Sequence, residues 1–375
     1  MQVEYFVEIF VMNKVNTQQN SDLSIRSFSE LNLNDSFFDS LKASYPEFEQ
    51  WFKKKAAKNE SAYVFMDECG NILDFLYLKD EHEELKDIAP ILPAKKRLKV
   101  GTFKISPRGS RRGERFMKKI MDRAIAGDVD EIYVTIFPTK ELEYLIKSFE
   151  KYGFQHLADK NHGERGSEYV LIKDMRKSTG DIVKDYPFVK NNNSKKNILS
   201  IRPDYHTRLF PDSILHNENP YDLVRDISPT NSIHKIYICW MEHVNELRKG
   251  DLLLIYRTTD GLGSANYRSV VTSVCTVNEV KTYSDFTNED DFVEYTNKYS
   301  IFSENDLRKW YRYKNNFTVL KMLYNVAFTK KVIRKKLLEE VGMDANQYWG
   351  FCSVTDEQYK HILKLGGVDE RYFID

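Results

Sequence analysis

The stretch with the clearest chemistry is Arg108-Gly109-Ser110-Arg111-Arg112-Gly113. Its glycines allow a tight turn and close backbone approach, and its arginines bring fixed charge and forked donors that suit a phosphate. The elements on either side position it. Lys99 to Ile105 carries β-branched and aromatic residues, is stopped by Ser106-Pro107, and reads as a strand. Behind the loop, Phe116, Met117, Ile120, Met121 and Ala124 recur at helical spacing and give a helix with one buried face. A strand feeding a helix through such a loop aims the helix's unpaired N–H groups at an anion in the turn. The plain alternative is a solvated basic turn.

The next segment repeats the alternation. Asp130 to Phe137 reads as a strand stopped by Pro138, and Lys140 to Tyr152 as a helix with Leu142, Leu145, Ile146 and Phe149 on one face. Gly153 ends that helix with a left-handed cap, and Phe154 returns to the core. With these residues in hand, the chain resembles the GNAT superfamily of acyl-CoA N-acyltransferases. In that family an Arg/Gln-x-x-Gly-x-Gly/Ala loop wraps the CoA pyrophosphate, and a later helix ends in a Tyr-x-x-x-Gly-Phe type sequence. Arg108 and Gly113 match the ends of the loop pattern, whereas Arg111 stands where its first glycine usually is.

The resemblance implies acetyl-CoA as cofactor, with no metal. It places Phe103, Lys104 and Ile105 on the pantetheine arm, and Arg108, Gly109, Ser110, Arg111, Arg112, Gly113 and Glu114 around the pyrophosphate. Glu114 also suits a helix first turn through the dipole, whether or not it touches a ligand. Phe149 occupies the place where many members carry the tyrosine that protonates the departing thiolate. Tyr152, on the same helix, is the candidate substitute acid. An amine must lose a proton before it attacks a thioester, and Glu168, with Glu164 nearby, is the candidate base. Core packing for Tyr152 and surface solvation for the glutamates are the plain alternatives.

Composition sets the bounds. With 375 residues the chain is long for one domain and comfortable for two. Lys+Arg 56 balances Asp+Glu 56, so any basic surface is local and net charge argues for neither nucleic acid nor membrane. Cys69, Cys239, Cys275 and Cys352 form no C-x-x-C pair, which fits a reducing cytoplasm and argues against a zinc ribbon or a disulfide framework. The opening MQVEYFVEIFVM lacks a basic start and is too short to span a bilayer, so it reads as an extra strand. A soluble, cytoplasmic protein with no membrane partner is expected.

Taken in order, Leu23 to Phe28 alternates like a strand, Asp35 to Tyr45 and Phe48 to Lys58 read as helices, and Ser61 to Asp67 with Ile72 to Lys79 make a hairpin around Gly70-Asn71. The acidic run Asp80 to Asp87 reads as a solvated loop or the rim of an acceptor groove, and Gly163 to Asp174 as the last strand. The fold expected for residues 1–175 is α+β or α/β: a central mixed, mostly antiparallel sheet with flanking helices. Residues 176–197, rich in Lys, Asn, Ser and Gly, read as a linker.

Residues 198–375 read as a small β-barrel with helices. Ile198 to Pro203, Ile233 to Trp240, Leu252 to Arg257 and Tyr267 to Val280 read as its strands, His206 to Leu215 as a turn, Asn219 to Ile227 as a short helix, and Lys330 to Val341 and Asp356 to Leu365 as helices. The Lys249-Gly250-Asp251 turn, the Tyr256-Arg257 pair and the Val-Val-Thr that follows resemble the PUA-like superfamily, in its ASCH and EVE branches. The Gly-x-Lys-x-x-Glu-x-Arg motif of ASCH domains is absent, with Lys235 alone in the expected neighbourhood. The resemblance implies RNA or a modified base as ligand. Stacking rings beside cations suit single-stranded RNA, and Arg202, Lys235, Arg257, Tyr267, Arg268, Trp310, Tyr313 and Lys314 are the residues that could bind it.

The expected activity is acetyl transfer from acetyl-CoA directly to an amine, with an RNA-linked acceptor first: a tRNA base, or an aminoacyl-tRNA amine, which would make the protein a translation-blocking toxin of the toxin-antitoxin kind. A protein or small amine is the rival acceptor. A non-catalytic acyl-CoA or RNA sensor is the rival class. The oligomeric state stays open, a homodimer among the options.

Overall fold

The computed structural model describes residues 6–9 (backbone only), 23–106, 112–191, 194–210, 232–313 and 316–374. The chain divides into two compact units, Met1–Asp185 and Tyr186–Asp375, the division falling inside the Lys- and Asn-rich stretch.

In the first unit, β1 (Phe6–Ile9), β2 (Leu23–Ser27), β3 (Ser61–Met66), β4 (Ile72–Glu81), β5 (Arg97–Ile105), β6 (Glu131–Ile136), β7 (Gln155–Asn161) and β8 (Ser167–Asp174) make one sheet. Its order is β2-β3-β4-β5-β6-β8-β7, with β1 attached to β5 off that path. Among the described residues of this sheet, β1–β5 and β5–β6 pair in parallel and the other neighbours antiparallel. Helices α1 (Asp39–Ser44), α2 (Phe48–Ala57), α3 (Arg112–Gly127) and α4 (Glu143–Lys151) flank it. This is the mixed, mostly antiparallel sheet with flanking helices expected for the first 175 residues.

Aromatic side chains hold both layers to the sheet. Phe28, Phe38, Phe48, Trp51 and Phe52 pack on Phe75 and Tyr77 of β4. On the other face Phe103 of β5 meets Phe116 of α3 and Phe149 of α4, each with ring centroids 5.6 Å apart. Edge-to-face pairs of this kind contribute about 0.5–1.5 kcal/mol each beyond the area they bury. The helix expected from Asp35 starts as a 3-10 turn, Ser36–Phe38, before α1, because the Asp35 carboxylate accepts from Phe37 N at 2.8 Å and also from Ile72 N at 3.0 Å on β4. Gly153 has φ +87°, and a Cβ there would lie 2.4 Å from the Lys184 carbonyl oxygen, so the turn after α4 requires glycine.

Two expectations need correction here. A strand, β7, follows Phe154 directly; its residues are mostly polar because it is the sheet's edge, and they carry no alternation to announce it. The acidic run from Asp80 is more than a solvated loop: Glu83, Glu84 and Asp87 are exposed, but Leu85 and Ile88 are buried against Tyr133, Val170 and Ile172, and Leu85 pairs with Leu92. The segment therefore lies down on the sheet.

The second unit contains β9 (Val189–Lys190), β10 (Lys196–Ile201), β11 (His234–Cys239), β12 (Leu252–Arg257), β13 (Val270–Thr282), β14 (Thr318–Ile333), β15 (Phe351–Ser353) and β16 (Phe373–Ile374). Its helices are α5 (Pro203–Leu209), α6 (Ala265–Arg268), α7 (Glu289–Asn297), α8 (Glu304–Tyr313), α9 (Arg334–Glu339) and α10 (Asp356–Leu365). Six strands run in the order β11-β14-β13-β12-β10-β15, while β9 and β16 pair separately. The long β13 and β14 are bulged against each other, which bends them around a core on each side of the sheet.

Tyr267 and Arg268 lie in α6 rather than at the start of a strand. The helix expected from Lys330 begins only at Arg334, because Val332 and Ile333 complete β14 opposite Val271 and Val270. Of the turn expected over His206 to Leu215, His206–Leu209 end α5, and the rest of it beyond Phe210, with the short helix expected over Asn219 to Ile227, lies outside the described residues. The stretch read as a linker is folded: the Asp185 carboxylate accepts from Ser178 Oγ, Thr179 N and Gly180 N, and Tyr186 and Val189 are buried in the second unit.

Candidate functional site

The first unit has a break in its own sheet. β6 pairs with β5 only from Arg97 to Val100, while β5 continues to Ile105. At the same level β4 and β5 slip register: Leu78 faces Val100 and Tyr77 faces Thr102, leaving Gly101 as the extra residue of a bulge. A bulge releases backbone groups from the ladder at the point where the parallel strands part. The part of β5 that β6 leaves, Thr102–Ile105, runs toward the start of α3 and pairs with β1 instead.

Arg108, Gly109, Ser110 and Arg111 lie outside the described residues. Both ends of their loop are anchored on one carboxylate. Asp74, fully buried on β4, accepts from Ser106 N at 2.8 Å through Oδ1 and meets Arg112 Nε at 2.8 Å through Oδ2. Burial pushes this carboxyl up to about 7, against the pull of the Arg112 and Arg115 guanidinium groups. Arg112, expected on the pyrophosphate, is thus turned into the protein as a strut. Lys104 is turned away likewise: its ammonium donates to the Phe37 carbonyl at 2.6 Å and to Ser40 Oγ. Phe103 is buried among rings, so what it offers along this edge is its backbone. Ile105 is half-buried, and a Cβ on Gly113 would lie 3.1 Å from its Cδ1, which shows how tightly α3 seats on the end of β5. Glu114 pairs with Lys151 at 3.1 Å and ties α3 to α4.

Glu168 is buried at 2% exposure and bonds to His162 Nε2 at 2.9 Å. The His162 ring reaches back across β8 to Phe137, the residue just past β6, with centroids 5.4 Å apart. An imidazole–carboxylate pair therefore sits at the end of the sheet where β5 and β6 have parted. Sequence reading names Glu168 as a candidate and passes over its partner His162; the signal available is the Gly163–Gly166 turn, which makes the two residues neighbours across a hairpin. Tyr152 is not brought to this pair. It is fully buried, and its carbonyl accepts from Lys173 Nζ at 2.9 Å. Lys173 and Glu168 are five positions apart on β8, roughly 17 Å at about 3.4 Å per residue.

Just before the strands part, Lys99 is buried with its ammonium 5.2 Å from the Tyr133 ring centroid. Burial lowers it to about 7, with the Glu81 carboxylate opposing. The folded chain then holds fewer protons than the unfolded chain between about pH 7 and the ordinary lysine value near 10.4. Stability from this group consequently rises with pH across that window. Comparing unfolding midpoints of wild type and Lys99→Met should show the wild type gaining on the variant from pH 7 to pH 10; a constant difference would refute the assignment.

In the second unit the residues expected on RNA do not form one face. Lys235 is fully buried, its ammonium 5.8 Å and 5.4 Å from the ring centroids of Phe210 and Tyr324. Arg257 is buried as well. Close to Arg257 stands His206, which sequence reading passes over: its Nε2 bonds to Thr272 Oγ1 at 2.8 Å, and burial, then Arg257, lowers it to about 3. Trp310 is half-buried and packs against the core on Phe302 and Trp240. Arg268 is paired with Asp260. Arg202, Tyr267 and Tyr313 are at the surface, and Lys314 lies outside the described residues. Tyr267 stands beside Lys335, whose ammonium is 5.5 Å from its ring centroid, and the neighbouring Arg334 covers Trp349 at 4.7 Å. This group interleaves rings and cations in the way expected of the wider set.

Residues 240–365 match the family model of the EVE domain. Among solved structures, ASCH from Zymomonas mobilis is similar at 9% identity, covering 46% of this chain and 95% of its own, with a TM-score of 0.32. Chaetomium thermophilum Naa20, solved with a bisubstrate analogue, gives 20% identity over 43% of this chain and 88% of its own, TM-score 0.30. A putative acetyltransferase from Acinetobacter baylyi ADP1 gives 16% over 44% and 99%, TM-score 0.32. No curated protein matches the chain. The first unit has the mixed, mostly antiparallel sheet and flanking helices read from its sequence, and within the second unit residues 240–365 are the part similar to the EVE domain. Among the described residues no group of His, Cys, Asp and Glu is placed to hold a metal ion, and no helix is long and apolar enough to cross a membrane.

Proposed function

We propose that the chain is a cytoplasmic acetyl-CoA-dependent N-acetyltransferase acting by direct transfer on an RNA-linked amine, a tRNA base or the amino group of an aminoacyl-tRNA. The parting of β5 and β6 beside the Gly101 bulge supports this reading most. Thr102–Ile105 would hold the pantetheine arm through backbone groups, and the loop that ends in Gly113 would hold the pyrophosphate. Backbone N–H groups freed near Gly101 polarise the thioester carbonyl. The acceptor nitrogen bonds to the carbonyl carbon, the carbon–sulfur bond breaks, and CoA leaves as the thiolate. The amine's proton passes to the His162–Glu168 pair.

The similarity of residues 240–365 to the EVE domain and the exposed Tyr267 beside the half-buried Arg334 and Lys335 favour RNA as the carrier of that amine. The test of the cofactor is calorimetric titration with CoA. Gly113→Ala moves Ile105 by only tenths of an ångström and should leave affinity within about twofold, whereas Gly113→Trp should lower it about a hundredfold or more, because a large ring at the first turn of α3 fills the approach to the helix N-terminus. Equal affinity in a folded Gly113→Trp variant would refute this site.

A further inference from the structure

We infer that the opening between β5 and β6 is a strand-accepting slot, filled in the resting chain by its own β1 in competition with the acyl-CoA arm; this rests on the function proposed above. Beyond Val100 the edge of β5 that β6 leaves is taken by β1, in parallel, with Phe6 opposite Thr102, Val7 opposite Phe103, Glu8 opposite Lys104 and Ile9 opposite Ile105. β1 also lies beside β6. A free strand edge offers N–H and C=O groups at fixed spacing, and an occupant must carry amides that match them. A peptide does so, and so does the pantetheine arm of CoA, an extended chain with two amides. The two cannot use Thr102–Ile105 together.

The ladder is a short parallel one, from Phe6 opposite Thr102 to Ile9 opposite Ile105, so it is weak enough to be displaced. Its cost to the cofactor follows from population: the apparent dissociation constant is the intrinsic one divided by the fraction of chains with the slot open. Opening should therefore be linked to CoA binding, and anything that draws β1 away should raise affinity.

The test uses the full chain carrying Val7→Pro and Glu8→Pro together. Successive N–H groups of a strand point to opposite sides, so adjacent prolines remove a donor facing β5 whichever way the strand is phased. CoA affinity is measured by calorimetry, and hydrogen exchange is followed at Thr102–Ile105. The double variant should bind CoA about tenfold more tightly than wild type. Its Thr102–Ile105 amides should exchange faster without CoA and slow again when CoA is added. If both proteins bind CoA equally, the acyl-CoA reading stands and the competition is wrong. If neither binds CoA while exchange shows β1 released, the acyl-CoA reading fails and takes the competition with it.

Discussion

Glu168→Gln should lower the rate of acetyl transfer by about a hundredfold to a thousandfold, the range of a lost general base, while leaving CoA affinity unchanged. The substitution keeps the shape of the side chain and a hydrogen bond to His162, so it removes charge with little change in packing. His162→Gln should do comparable damage, and the double variant little more, because the pair works as one proton acceptor. The check is kcat with saturating acetyl-CoA alongside the unfolding midpoint. A loss of stability that accounts for the loss of rate would make Glu168 a structural residue only.

The second large effect is on folding. Asp74→Ala leaves the Arg112 guanidinium in a buried site without its carboxylate and takes the acceptor from Ser106 N. Removing one partner of a buried ion pair typically costs about 3–5 kcal/mol, and urea unfolding followed by a first-unit signal should show it. Because Ser106 and Arg112 bracket residues 107–111, CoA affinity should fall as well. Substituting Asp74 and Arg112 together with apolar residues should restore much of the stability without restoring the affinity. Retention of CoA binding in Asp74→Ala would mean that the loop needs no anchor on β4.

What can be read from the sequence is whatever local periodicity carries. DEIYVTIF and KELEYLIKSFEKY appear as β6 and α4 because their apolar residues recur at the spacing of a strand and a helix. The polar edge strand β7 has no such signal. The TKKVI end of β14 carries two lysines that suggest a helix, although Val332 and Ile333 are strand residues paired with β13. In the candidate site, the loop's place between a strand and a helix is legible but the partners of its flanking charges are not. Arg112 and Lys104 are assigned by Asp74 and by the Phe37 carbonyl, partners remote in sequence that only the sheet brings close. Lys235 and Arg257 read as surface cations among the basic residues, yet both lie in strands whose every residue is buried. The His162–Glu168 pair is half visible, since a carboxylate near a hairpin turn stands out without its cross-strand neighbour.

The most direct measurement is transfer of label from radiolabelled acetyl-CoA into a cell lysate by the wild-type chain, with the lysate then separated into RNA, protein and small-molecule fractions. The proposed function predicts label in RNA that disappears with Gly113→Trp and with Glu168→Gln. Label confined to protein or small amines would contradict the RNA acceptor, and no label anywhere from a chain that still binds CoA would contradict catalysis itself.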